Sequence, residues 1–325
     1  MKGALVVGWA AKGVLDPLSL ELVTAARRIV DGADCPLHGL LFGAEGSDAT
    51  KSFAGDVFKH VYVAEGEALA SYRGDVYLSV VEEAVRLCQP EVVLFPRTAE
   101  FAELAPRVAA RLNAGIVTGC VAVSFDANEL IATKPVGGGS ALADYAFKTD
   151  QKVLLIAGGA FEPAVLAGLC ETSPLDAKPV KSEVEVLVEI PQAEDGGPDL
   201  RVARVVVAGG LGVGGKDKWT LVNEAANVLG AATGGTRAVV ELGWIAQSRQ
   251  IGFSGHKVAP DLYIAIGISG AVHHLAGIKS AKTIVAVNTD KEANIFRVAR
   301  FGVVGDARQV VDGLVQRVHE LRQSR

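Results

Sequence analysis

The sequence predicts an α/β protein of two domains, each an open, mostly parallel sheet with flanking helices. Three observations carry that prediction. The hydrophobic period switches repeatedly between two residues and about 3.6, the pattern of strands alternating with helices. Half of the 325 residues are hydrophobic, yet only 6% are aromatic and 37 are glycine, so Ala, Val, Leu and Ile carry the apolar share, as in α/β layers joined by tight turns. Finally, a polar segment from Gln192 to Leu200, with acids, two glycines and a proline, separates two strand-like runs and places the domains at 1–195 and 196–325.

In the first domain, ALVVGWA (4–10) is a strand, SLELVTAARRIV (19–30) an amphipathic helix, LHGLLFG (37–43) a buried strand and VYVAEG (61–66) the next one. The order continues with a helix at YLSVVEEAVRLC (77–88), a strand at EVVLFPR (91–97), a helix at ELAPRVAARLN (103–113) and a strand at VTGCVAVSF (117–125). Such a βαβ succession implies a parallel sheet covered on both faces. After about residue 125 the helical period stops, and ELIATKPV, ADYAFKTD, KVLLIAGG and EVEVLVEI read as short strands that close or extend the sheet. The second domain restarts the alternation with VARVVVAGG (202–210), a helix at WTLVNEAANVLG (219–230), a strand at LYIAIGIS (262–269), a further helix, TIVAVN (283–288), FGVVGD (301–306) and a closing helix through residue 323.

Charge and cysteine content narrow the function classes. A net charge of −5, with 32 basic and 37 acidic residues interspersed, leaves no basic footprint for nucleic acid or an anionic membrane. No run approaches the ~18 to 20 apolar residues of a membrane span. The expected location is the bacterial cytoplasm, or a mitochondrial matrix after removal of an import signal. Cys35, Cys88, Cys120 and Cys170 lie far apart without a CxxC and read as buried reduced thiols, not as a disulfide frame or a metal site.

The segment Asp261–Asn288 concentrates the chemistry. LYIAIGI is a buried strand running into Ser269-Gly270, where Ser269 reads as a helix N-cap and Gly270 permits close approach to the backbone. A helix start directly after a strand's carboxyl end presents free N–H groups and a positive dipole end, which suits a phosphate or pyrophosphate. The same pattern also fits an ordinary strand, capped helix and strand. His273 and His274 are neighbours in that helix, about 100° apart, so they cannot both serve one ligand atom; one is expected to face a cleft.

Taken with its flanks, this segment resembles the C-terminal region of electron-transfer flavoprotein α subunits. VAPDLY before the strand, ISGA followed by a histidine and LAG, the aliphatic run ending in Asn288, Gly235 to Ala238, IGFSG at Ile251 to Gly255 and FGVVGD ending in Asp306 occur in that family's order. The first domain is similar more loosely, through SLELVTAARRI and LAPRVAARL. The resemblance implies a Rossmann-like FAD-binding fold for residues 196–325, a first domain that docks on a β subunit to form a heterodimer, and a hinge near residue 195. It implies a one-electron carrier rather than an enzyme with its own substrate, taking electrons from flavin dehydrogenases such as acyl-CoA dehydrogenases and passing them to a quinone oxidoreductase or other acceptor.

It also implies residue roles. Thr236 and Arg237 match a Ser-Arg pair whose arginine lies against the isoalloxazine ring; Ile251, Gly252, Phe253 and Ser254 form a flavin loop in which the Ser254 hydroxyl reaches N5. Ser269, Gly270, Ala271 and Val272 would hold the pyrophosphate, His273 and His274 would flank the ring with His274 near the C2 carbonyl, and Asn288 and Asp306 would meet the adenosine end. A cation or donor near N1 and the C2 carbonyl stabilises the negative charge gained on reduction, for which Arg237 and His274 are suited. The chain departs from the family's usual residues at His273 and Phe253, where glutamine is common, and at Leu211 and Ala157, where arginine is common.

A competing motif is Gly210, Gly212 and Gly215, which fit GxGxxG between a strand and a helix and would make an NAD-linked Rossmann oxidoreductase. Against it, GAATGGTR after that helix offers no apolar strand ending in an acid for a ribose hydroxyl. A binding subunit without redox chemistry is the other alternative. GGGS at 137–140 lacks the lysine of a P-loop and reads as a turn.

Overall fold

The structure, a computed structural model, describes residues 1–11, 13–43, 48–126, 129–176, 182–188 and 197–323. Two compact units, Met1–Glu189 and Ile190–Arg325, make up the chain. The expected boundary at 195/196 lies outside the described residues. Of the expected linker, Gly197 to Leu200 are described. They are tied down: Arg249 donates to the Pro198 carbonyl at 2.9 Å, and Leu200 is buried.

Unit 1 runs β1 Ala4–Ala11, β2 Val14–Leu15, α1 Pro17–Ala33, β3 Leu37–Phe42, α2 Ala49–Phe53, β4 His60–Glu65, α3 Gly74–Cys88, β5 Val92–Pro96, α4 Ala99–Leu112, β6 Gly115–Cys120, β7 Ala122–Asp126, β8 Glu129–Val136, β9 Ala141–Ala146, β10 Lys152–Ile156 and β11 Thr172–Asp176. The main sheet is parallel in the order β11-β4-β3-β1-β5-β10-β6, with β2 folded back on β1. Alternate residues of β1 serve two cores. Val6 packs with Leu22 and Ile29 of α1, while Leu5 and Val7 pack with Tyr77 and Val81 of α3 and with Phe101 and Leu104 of α4. Start signals match: the Asp16 side chain accepts from the Leu18 amide at 2.9 Å ahead of α1, and Thr98 caps α4.

Three readings change here. VTGCVAVSF is two strands: β6 ends at Cys120, just after a bulge at Gly119 with φ 73°, and the chain passes from the parallel sheet into a small antiparallel meander β7-β8-β9. Strand β11 was not foreseen: Pro174 argues against a strand, but β11 is a sheet edge, where proline is tolerated. EVEVLVEI, expected as a strand, joins no ladder within its described part; Asp75 of α3 instead holds Ser182 and the Glu183 amide at 2.9 and 3.2 Å. The four cysteines are free thiols, but only Cys120 is fully buried.

Unit 2 runs β12 Val205–Gly209, α5 Thr220–Leu229, β13 Ala232–Gly235, α6 Arg237–Glu241, β14 Leu262–Ile266, α7 Val272–Ile278, β15 Thr283–Asn288, β16 Phe301–Val304 and α8 Ala307–Gln323. Its sheet is wholly parallel in the order β13-β12-β14-β15-β16. Val206, Ala208, Tyr263 and Ala265 pack on one face with Ile278 and Ile295, and Val207, Ile264 and Ile266 pack on the other with α5 and Val311 of α8. The order reverses between β12 and β14, and in open α/β sheets such a switch point opens a crevice at the strands' carboxyl ends. Strand β13 corrects the reading of GAATGGTR: it is a strand whose glycines hid it, though no acid follows it.

Candidate functional site

The turns that carry the expected site residues of the second domain come to the carboxyl edge of this sheet. The turns there are stitched by backbone hydrogen bonds. The Thr236 amide donates to Gly209 after β12 at 3.1 Å, the Ile251 amide to Gly235 at 2.9 Å, the Ile295 amide to Ser269 at 3.1 Å and the Gly305 amide to Asn288 at 3.1 Å. The result is a continuous rim.

At the switch point the turns after β12 and β14 interlock. The amides of Gly210 and Gly212 donate to the carbonyls of Ile266 and Gly267, both at 2.9 Å. A Cβ on Gly210 would lie 2.4 Å from the Gly267 oxygen, and one on Gly212 would lie 2.7 Å from the Gly267 Cα. Loop-on-loop packing therefore accounts for these two glycines without a dinucleotide. Helix α5 begins only at Thr220, after a separate turn at Asp217–Trp219, so GxGxxG does not open a helix as the fingerprint requires.

The turn after β14 also differs from the expectation. Gly270 takes φ 83°, and a Cβ there would come within 2.2 Å of the Ile295 nitrogen. That left-handed residue delays the helix, so Ala271 occupies the cap position before Val272 and Ser269 is not the N-cap. Ser269, Ala271 and Val272 are exposed.

The loop Ile251–Ser254 rests on α7. The Phe253 amide donates to the His273 carbonyl at 2.7 Å, and the Gly252 amide donates to His256 at 3.1 Å. Ser254 accepts from the buried Gln250 side chain at 3.0 Å. Phe253 and His273 are exposed with ring centroids 5.9 Å apart.

His274 behaves differently. It is only 6% exposed, its Nε2 is 2.9 Å from the Tyr263 hydroxyl and its Nδ1 is 3.1 Å from the Ile251 carbonyl. Burial lowers its pKa to about 4. Burial thus favours the neutral ring, and both of its nitrogens are engaged within the protein.

Arg237 opens α6 on the surface, its Nε donating to Glu241 one turn on at 2.7 Å. Asn288 joins two turns, donating to the Ile268 carbonyl and accepting from the Asp290 amide, each at 3.0 Å. Asp306 caps α8 by accepting from the Arg308 and Gln309 amides at 2.9 and 3.2 Å. Asn288 and Asp306 thus shape the rim.

Around this rim Leu211, Phe253 and Val272 are 54%, 62% and 80% exposed. Large apolar side chains on turns that are otherwise locked by hydrogen bonds suit a flat aromatic ligand. The glycine approaches and helix start beside them suit its phosphates. The residues present thus fit a flavin dinucleotide. Residues that sequence reasoning missed are Gln250, Tyr263 and Gly277. Tyr263 carried the one readable signal, a phenol in the middle of an aliphatic strand, which when buried needs a partner.

Comparison with known proteins agrees with this geometry. A family model described as an electron transfer flavoprotein domain matches residues 4–189, and one described as an electron transfer flavoprotein FAD-binding domain matches residues 199–279. The chain is similar to Protein FixB of Clostridium saccharobutylicum, at 34% identity over 98% of this chain and 97% of that protein. It is also similar to electron transfer flavoprotein subunit alpha of Mycobacterium leprae, at 36% over 98% and 99%, and of Bacillus subtilis, at 32% over 98% of each.

Proposed function

The chain belongs to the electron transfer flavoprotein α family, whose C-terminal domain binds FAD, and from that premise we propose how its own residues serve the cofactor. The observation that carries the reading is the stitched carboxyl rim of unit 2, with the Ile251–Ser254 loop seated on α7 beside the exposed Leu211, Phe253 and Val272.

Ser269 to Val272 would hold the pyrophosphate, Arg237, Phe253, Ser254 and His273 the ring, and Asn288 and Asp306 the turns at the adenosine end. When bound, FAD supplies reversible uptake and release of electrons. Arg237 is the charged group of this set, and its guanidinium favours negative charge on the ring. Neutral His274 contributes by holding the Ile251 carbonyl. Phe253 and Leu211 exclude water from the ring's edge.

Unit 1 is the part on which a β subunit docks, giving a heterodimer. Electrons come from flavin dehydrogenases such as acyl-CoA dehydrogenases and go to a quinone oxidoreductase or another acceptor, in the cytoplasm. Among the described residues no helix is long and apolar enough to cross a membrane.

The test is electron uptake. The chain is co-produced with a β subunit, loaded with FAD and mixed anaerobically with a flavin dehydrogenase and that enzyme's substrate. Bleaching of the bound flavin is expected. Bound FAD that no dehydrogenase reduces overturns the carrier reading.

A further inference from the structure

Tyr263, the second residue of β14, has no exposed surface and shares a core cluster with Ala265, Ile284 and Ala286. A phenol hydroxyl in such a place costs about 1–3 kcal/mol unless it is bonded. Its partner is Nε2 of His274 at 2.9 Å, and Nδ1 of the same ring reaches the Ile251 carbonyl at 3.1 Å.

The protons in this chain of three groups can be assigned. A carbonyl only accepts, so Nδ1 carries the proton. A neutral imidazole then has Nε2 as its acceptor, and the Tyr263 hydroxyl must donate to it. Ile251 is where the chain enters the loop beside α7. From there Gly252, with φ 149°, passes so close to α7 that a Cβ on it would lie 3.1 Å from the His273 oxygen, and a Cβ on Gly277 would lie 2.6 Å from the Gly252 Cα. The Phe253 amide closes the contact on His273 at 2.7 Å. The side chains left facing outward are Phe253 and Ser254.

We propose that Tyr263 is a positioning residue for the flavin-facing loop Ile251–Ser254: by donating to Nε2 its hydroxyl fixes the orientation of the His274 ring, and the proton on Nδ1 then holds the Ile251 carbonyl in place. The proposal rests on the cofactor reading of this rim. Tyr263 is fully buried and acts only through His274. Removing its hydroxyl leaves Nε2 without a donor in a dry site, frees the ring to turn, and weakens the hold on Ile251.

The experiment uses the heterodimer with the β subunit, as wild type, Tyr263→Phe, Ile284→Val, His274→Asn and the Tyr263→Phe/His274→Asn pair. Ile284 is the neighbour of Tyr263 across β14 and β15, so its valine variant loosens the same core without touching a hydrogen bond. Nitrogen NMR of labelled histidine reads the tautomer, and equilibrium titration reads FAD affinity.

The wild type is expected to carry the His274 proton on Nδ1, and Tyr263→Phe to keep it there, with the Nε2 resonance shifted by loss of its hydrogen bond and FAD affinity lowered about tenfold. Ile284→Val should leave affinity within about twofold. Because an asparagine amide donates to Ile251 without help, Tyr263→Phe on the His274→Asn background should also change affinity by less than about twofold.

A wild-type proton on Nε2 overturns the proposal. So does the same loss of affinity from Tyr263→Phe in both backgrounds, or an equal loss from Ile284→Val. If the wild-type heterodimer takes up no FAD, the cofactor reading fails, while the NMR measurement still decides the proton's position.

Discussion

Gly252 and Gly277 meet back to back: a Cβ on Gly277 would lie 2.6 Å from the Gly252 Cα and equally close to its nitrogen. The loop Ile251–Ser254 can sit on α7 only because neither residue has a side chain. Gly277→Ala is therefore expected to push the loop outward, destabilising unit 2 by about 2–4 kcal/mol and weakening FAD binding more than tenfold. Denaturant unfolding and FAD titration of the heterodimer check both.

The buried His274 gives unit 2 an acid limit. Its folded pKa, lowered to about 4, lies below the ordinary value of 6.5 in the unfolded chain, so the unfolded state binds the extra proton between them. The stability contribution is complete above about pH 6.5 and is lost as pH falls towards 4, a change of about 3 kcal/mol. His274→Asn should flatten this part of the profile. Unfolding curves of both proteins at pH 4.5 and pH 7, followed by Trp219 and Trp244 fluorescence in a Trp9→Phe background, measure the difference.

Glu21 sets the opposite limit in unit 1. It is buried in α1, accepts from the Gly159 amide at 2.8 Å, and desolvation raises its pKa from 4.5 to about 7. A raised carboxyl pKa means stability that is full below about pH 4.5 and declines as pH rises through 7. Glu21→Gln keeps an acceptor for Gly159 without the charge. It is expected to stabilise unit 1 by about 3 kcal/mol at pH 8 and by little near pH 4.5, as thermal unfolding at the two values would report.

Arg237 is the charge in the proposed ring set, and its guanidinium is shared with Glu241 at 2.7 Å. Arg237→Ala should lower the potential of the first electron by about 60 mV, the one-electron equivalent of a tenfold change. A redox titration of the FAD-loaded heterodimer that gives the wild-type value removes Arg237 from the set.

The parts of this fold that could be read from the sequence are those where one local rule decides. Strands β1, β5, β12 and β14 are largely apolar runs buried on both faces, and α1 carries its own cap in Asp16. Strand β13 was hidden because ATGG has almost no side chain to show a period; its glycines are needed where Ile251, Ile245 and Trp219 crowd the backbone. Ser269 looked like a cap because its type fits, but the Gly270 turn against Ile295 depends on a residue 25 positions away. The neighbouring histidines were separable in principle by their 100° offset. Which one is buried followed only from Tyr263, one strand earlier, reaching Nε2 of His274.

The presence of FAD in unit 2 tests the account most directly. The chain purified with its β subunit, denatured, and its released nucleotides separated and weighed by mass spectrometry is expected to yield FAD, and Gly270→Val, which drives a branched side chain into the Ile295 backbone, is expected to lose it. A wild-type heterodimer that is colourless and retains NAD instead, or whose FAD content is untouched by Gly270→Val and Gly277→Ala alike, would contradict it.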